Sequence, residues 1–352
     1  MIAIVGGGLA AAKLVESYRD SGGEDEIVVW SQDSHGPYHR PPLSKRLLRG
    51  ESEPADALVH PVDWYADQGV DLRLGESVAS LDDVAADTIV IATGARPRHL
   101  DGALVLRTID NSLELRRRAE TARTAVVVGG GFIGCEVTAS LTQLGVSVTQ
   151  VVREPIVFAT LQAPPLSEAL HDVYRAHGVD LRLDATEIPA DEFVVAGIGV
   201  DPNVELARDA GLEVRSGVVV DDRFATARTG VYAIGDVAEF YDPVYRRHRR
   251  IEHWSNAAYH GTTLGRILAG DEDARYDIVS AFFSEEFGRS FKLFGDPTGH
   301  DDSRLDGDFA EENAVYRFVQ GGKTIGAVVI GQDEDTENAL KEEIRAGAAA
   351  VA

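Results

Sequence analysis

Apolar residues gather along this chain in short unbroken runs, and each run stops at glycine or another small residue. Ile2-Ala3-Ile4-Val5 leads into Gly6-Gly7-Gly8, and Ala125-Val126-Val127-Val128 leads into Gly129-Gly130-Gly131. Ile89-Val90-Ile91-Ala92 ends at Thr93-Gly94, and Val231-Tyr232-Ala233-Ile234 ends at Gly235-Asp236. Continuous runs of this length predict strands of a parallel sheet covered on both faces. Residues 27–30 read as a further strand of the first unit. Elsewhere the period changes: Ile133, Val137, Leu141 and Leu144 recur at helical spacing, so a helix follows the second glycine turn. Near the C-terminus, 314–319 and 324–330 flank Gly321-Gly322 as a hairpin, and a helix follows through Leu340 and Ile344. Strands alternating with helices predict an α/β fold.

The two glycine turns have matching chemistry. Gly6, Gly8 and Ala11, then Gly129, Gly131 and Gly134, each fit G-x-G-x-x-G/A between a strand and a helix. The first glycine allows the tight turn. The second lets backbone approach a pyrophosphate, and the third position keeps the helix close to the strand. The helix N-terminus then offers free N–H groups to the phosphates. One such motif is a weak signal. Two in one chain point to two bound dinucleotides with electrons passing between them. An acid about 20 residues past the first turn is expected on the adenosine ribose; Asp33 is the candidate, with Gln32 beside it.

Composition narrows the field. A length of 352 residues suits about two or three domains. The formal net charge of −24 argues against general nucleic-acid binding. No apolar run is long enough for a membrane span. The first strand starts at residue 2, leaving no room for a signal segment before it. The single cysteine, Cys135, cannot form an internal disulfide, which suits a reducing, cytoplasmic setting. No metal site is expected. One dense basic run, Arg246-Arg247-His248-Arg249-Arg250, interrupts the acidic chain.

Further segments carry a more specific likeness. Arg40-Pro41-Pro42-Leu43-Ser44-Lys45, Ala92-Thr93-Gly94-Ala95-Arg96-Pro97, Gly235-Asp236 and Ile251-Glu252-His253-Trp254-Ser255-Asn256-Ala257 occur in this order. With both fingerprints, the chain resembles the FAD-dependent pyridine-nucleotide oxidoreductases. Within them it is similar to the NAD(P)H–ferredoxin/rubredoxin reductases that serve Rieske oxygenases and cytochromes P450; the apoptosis-inducing-factor flavoproteins are also similar. The resemblance implies two Rossmann-like domains, for FAD and NAD(P)H, plus a small α+β C-terminal domain. The FAD domain would span 1–104 and 214–278, the NAD(P)H domain 105–213 and the last domain 279–352.

It also implies roles. Gly6, Gly8, Ala11, Asp33, Arg40, Lys45, Thr93, Gly94, Gly235, Asp236 and Trp254 would serve FAD. Gly129, Gly131, Gly134, Glu136 and Arg153 would serve NAD(P)H. Lys45 would pair with Glu136 near the flavin N5, and Trp254 would lie where electrons leave. The acceptor would be an acidic ferredoxin or rubredoxin, and Arg246, Arg247, Arg249 and Arg250 would form its docking patch. Relatives that use NADH usually carry an acid where Val152 stands. Here Arg153 follows instead, which leans toward NADPH or toward weak discrimination, though Glu154 restores an acid one residue on.

Two features depart from the pattern. Residues 75–87 and 184–190 leave little room for the β-meander that each Rossmann-like unit normally carries. Phe282-Phe283-Ser284-Glu285-Glu286-Phe287 stands where many relatives carry Phe-Trp-Ser-Asp-Gln, so the flavin face would be lined differently. Ser44 occupies the segment where a redox cysteine would be expected in a peroxidase, oxidase or disulfide reductase of this architecture. The alternatives left open are such an NAD(P)H oxidase, and a slow or non-enzymatic flavoprotein that binds NAD(P)H as a switch.

Overall fold

A computed structural model describes residues 1–191 and 193–351; Glu192, inside the expected 105–213 domain, and Ala352, at the end of the tail, lie outside the described residues. The chain divides into two units. The first comprises Met1–His39, Ala55–Arg96 and Asp201–Ile278, and the second Arg40–Pro54, Pro97–Val200 and Val279–Ala352.

In the first unit, the apolar run Ile2–Val5 is the central strand of a five-stranded parallel sheet. The spatial order is Val231–Ala233, Thr88–Ile91, Ile2–Val5, Ile27–Ser31, Val70–Leu74. Ile4 and Val90 are fully buried, as strands covered on both faces must be. The helix Leu9–Asp20 packs on the helix Trp254–Leu268 with backbones almost touching. A Cβ at Gly261 would lie 2.2 Å from the Ala10 carbonyl oxygen, and one at Gly265 2.7 Å from that of Leu14. Glycine at both positions is therefore what lets the helices close. Residues 75–87 hold only the 3-10 turn Leu81–Asp83, in line with a pruned meander.

The second unit repeats this plan. Its parallel sheet runs Leu104–Val105, Val194–Ala196, Thr124–Val128, Ser147–Val151, Asp180–Arg182, again with the fingerprint strand in the middle. Residues 184–190 contribute no strand. An antiparallel sheet follows, ordered Ala281–Glu286, Arg289–Gly295, Lys323–Ile330, Asn313–Gln320, Asp302–Asp308. The expected hairpin is its centre. Gly321 (φ 54°) and Gly322 (φ 78°) form the tight turn, where two successive positive φ values suit the twist of the flanking strands. The helix Glu334–Val351 buries Leu340 and Ile344, as their spacing predicts. The fold is thus two Rossmann-like α/β domains with a C-terminal antiparallel sheet.

Candidate functional site

The two fingerprints fold alike. Gly6 has φ 116°, and a Cβ there would lie 2.2 Å from the Ala92 carbonyl oxygen; Gly129 has φ 120°, and its Cβ would lie 2.3 Å from the Gly197 oxygen. Only glycine fits either turn. Gly8 and Gly131 differ from these. Each is the N-cap of its helix, with no side-chain cap and no acid in the first turn, and nothing lies within 4 Å of a Cβ built on either. An uncapped helix N-terminus behind open space is a cradle fitted to phosphate. Gly134 keeps the second helix close, since its Cβ would meet the Gly129 oxygen at 2.3 Å, and Ala11 is buried at the matching position. Gln150, which carried no signal in the sequence, donates from Nε2 to the Gly129 carbonyl at 3.0 Å and braces the turn.

The remaining first-unit candidates sit at strand ends. Asp33 follows the strand Ile27–Ser31; its carboxylate accepts from the Tyr38 hydroxyl at 2.7 Å and the His35 N–H at 3.0 Å, while Gln32 is exposed. Thr93 and Gly94 are held by Asn203, a residue the sequence did not flag. Thr93 Oγ1 donates to the Asn203 carbonyl at 2.8 Å, Asn203 Nδ2 to the Thr93 carbonyl at 2.8 Å, and Asn203 N–H to the Gly94 carbonyl at 2.9 Å. Gly235 N–H donates to His260 Nδ1 at 3.1 Å, which fixes the turn carrying Asp236. His260 is wholly buried among Phe224, Phe240 and Tyr276, and burial pushes its imidazole down to about 3. Trp254 is 40% exposed, and its indole N–H donates to His39 Nδ1 at 2.9 Å.

The second unit carries a buried charged cluster. Lys45 Nζ lies 2.6 Å from Glu136 Oε1, with both side chains almost completely covered. Glu136 projects from the fingerprint helix Phe132–Gln143, one turn beyond its N-terminus. Lys45 follows the 3-10 turn Pro41–Ser44, whose prolines fix its course. Ser44 donates to the other oxygen of Glu136, and Ser140 Oγ donates to the Ser44 carbonyl at 2.6 Å. Ser284 Oγ lies 2.6 Å from Glu136 Oε1, and Lys45 Nζ lies 5.9 Å from the centre of the exposed Phe283 ring. The Arg40 guanidinium donates to the Arg107 carbonyl. Arg153 is 81% exposed on its side chain and pairs with Glu154 at 3.1 Å; Val152 is buried beneath Gly130.

Two expectations are sharpened. Cys135 is fully buried, and burial pushes its thiol well up, so it cannot act as a redox nucleophile. The basic run is divided. Arg249 pairs with the buried Asp242 at 2.9 Å, and Arg250 pairs with Glu252 and donates to the Asp236 carbonyl at 3.3 Å. Arg246, Arg247 and His248 are exposed at the surface. No helix among the described residues is long and apolar enough to cross a membrane.

Comparison with known proteins agrees with this geometry. The family profile of pyridine nucleotide-disulphide oxidoreductases matches residues 1–261. Putidaredoxin reductase of Pseudomonas putida is 31% identical, over 94% of this chain and 88% of its own length. Rubredoxin-NAD(+) reductase of Ectopseudomonas oleovorans is 31% identical over 76% of this chain and 80% of its own. The reductase in a covalent putidaredoxin reductase–putidaredoxin complex superposes with a TM-score of 0.92 at 29% identity, covering 98% of this chain and 93% of that one.

Proposed function

Since the chain belongs to the pyridine nucleotide-disulphide oxidoreductase family, we propose that it carries electrons from NADH through FAD to a ferredoxin or rubredoxin serving an oxygenase or P450. The observation that carries this reading is the buried Lys45–Glu136 pair on the second fingerprint helix, with no redox thiol beside it. FAD, when bound, supplies the conversion of a two-electron donor into single electrons.

The residues divide the work. Gly8 and the N-terminus of Leu9–Asp20 would take the FAD pyrophosphate, Gly6 and Ala11 shape that turn, and Asp33 would meet the ribose. Thr93, Gly94, Gly235 and Asp236 line the strand ends that Asn203 and His260 hold in place. By resemblance, Arg40, Lys45 and Trp254 also serve FAD. Gly131 and the N-terminus of Phe132–Gln143 would take the NADH pyrophosphate, with Gly129 and Gly134 shaping the turn. Lys45 and Glu136 hold a compensated pair of charges in a nearly fully covered site, where losing either partner would leave the other charge buried and unpaired. The tripartite division at 1–104 with 214–278, 105–213 and 279–352 is part of the same proposal.

NADH is the reading adopted for the donor. The lean toward NADPH rests on Arg153, whose guanidinium is engaged by Glu154, and the rubredoxin-NAD(+) reductase to which the chain is similar carries NAD(+) in its name. A disulfide or peroxide reaction has no nucleophile, because Cys135 is enclosed. The test is steady-state kcat/KM of the yellow holoprotein with NADH and NADPH, with a panel of ferredoxins coupled to cytochrome c. A preference for NADH of tenfold or more, as an order of magnitude, with at least one ferredoxin turning over, is expected. Fast bleaching by NADH without transfer to any acceptor would favour a switch instead.

A further inference from the structure

Ser284 Oγ lies 2.6 Å from Glu136 Oε1 and 2.6 Å from Glu286 Oε1. A hydroxyl carries one proton and donates once. Two ionised carboxylates cannot both be satisfied by it, so one of these contacts needs a proton supplied by a carboxyl. Glu136 already has the Lys45 ammonium and the Ser44 hydroxyl as donors. Glu286 is fully buried, and among the described residues its Oε2 has no hydrogen-bond partner. The titratable groups that act on it are Glu136, Glu285, the Cys135 thiol, the Tyr174 phenol and Lys45, and the last is already held by Glu136. The proton therefore belongs on Glu286.

We propose that Glu286 is a neutral carboxylic acid that donates to Ser284 Oγ, which in turn donates to Glu136, so that an unbroken hydrogen-bonded chain ends at the Lys45 ammonium. Glu286 is then a positioning residue. Its proton fixes the direction of the Ser284 hydroxyl, keeps a second negative charge away from Glu136 and leaves the cluster net neutral. Burial pushes the Glu286 carboxyl well above the usual carboxylate range, consistent with this assignment. The effect on the donor step rests on the function proposed above; the proton's position does not.

Two measurements on the full-length holoprotein need no turnover. In the infrared, protein labelled with 13C-carboxyl glutamate should show at neutral pH an isotope-shifted band of a protonated carboxyl, absent from Glu286→Gln. Glu286→Gln retains a neutral donor toward Ser284. Above about pH 4.5 the wild-type folded-to-unfolded ratio should fall relative to this variant by about tenfold per pH unit, because the unfolded chain releases a proton that the folded one keeps. Absence of the band in wild-type protein, which requires no variant, overturns the proposal, as does a stability difference independent of pH. The rate of bleaching by NADH should also break at the pH where the band disappears, in wild type only. The same pH profile in Glu286→Gln would overturn the positioning role while leaving the function proposed above standing.

Discussion

His260 and Glu286 are buried titratable groups held without charge, and pH acts on them in opposite senses. For His260 the folded imidazole sits near 3, well below its ordinary 6.5. A depressed imidazole means that the unfolded chain binds the proton first. Its stability contribution is therefore complete above about pH 6.5 and is lost as pH falls toward about 3. Chemical denaturation across this window should show wild type losing stability relative to His260→Gln by about tenfold per pH unit. A parallel pair of curves would mean that His260 is charged in the folded state. At this scale the sequence was legible where a motif names a residue. Lys45 and Glu136 could be paired by resemblance, and the structure pairs them at 2.6 Å. Ser284 and Glu286 could be placed only on a lining segment. Their link to Glu136 spans 148 residues of chain and has no periodicity or spacing to betray it. Asn203 and His260 were silent for the same reason: each acts through a backbone group of a distant turn.

The fingerprint turn is the element on which the proposed cofactor chemistry depends, and its glycines are not equivalent. Gly129→Ala places a Cβ 2.3 Å from the Gly197 oxygen at φ 120°, so it should cost folding itself. Gly131→Ala meets nothing within 4 Å and has an extended φ of −88°. It should cost at most about 1 kcal/mol, the difference between glycine and alanine at an N-cap. Its methyl group nevertheless occupies the cradle assigned to the pyrophosphate, so KM for NADH should rise about tenfold or more while the thermal midpoint barely moves. Equal effects of both substitutions on KM and stability would refute this division of labour. Parallel strands were easy to read because burial on both faces leaves an unbroken apolar run. Asp302–Asp308 was not read, since it is an exposed edge strand whose residues are mostly polar. Charge along such an edge discourages pairing with another chain, and it also erases the strand's hydrophobic signature.

At the scale of the whole molecule, a chain of net charge −24 repels an acidic ferredoxin unless positive charge is concentrated where the two meet. Arg246 and Arg247 are exposed and suit that role, whereas Arg249 neutralises the buried Asp242. Arg246→Gln with Arg247→Gln should therefore raise KM for ferredoxin several-fold, most strongly at low salt, and leave ferricyanide reduction intact. Unchanged ferredoxin kinetics would remove the patch. Arg249→Gln should act on stability instead, because it strands a buried carboxylate. The division into units also bears on the order in which the protein is made. The sheet of the first unit draws its edge strand, Val231–Ala233, from beyond every strand of the second unit's parallel sheet, whose last member is Val194–Ala196. On the ribosome, the inserted sheet has all its strands before the sheet that surrounds it in sequence, so the sheet begun first is completed only after the inserted one.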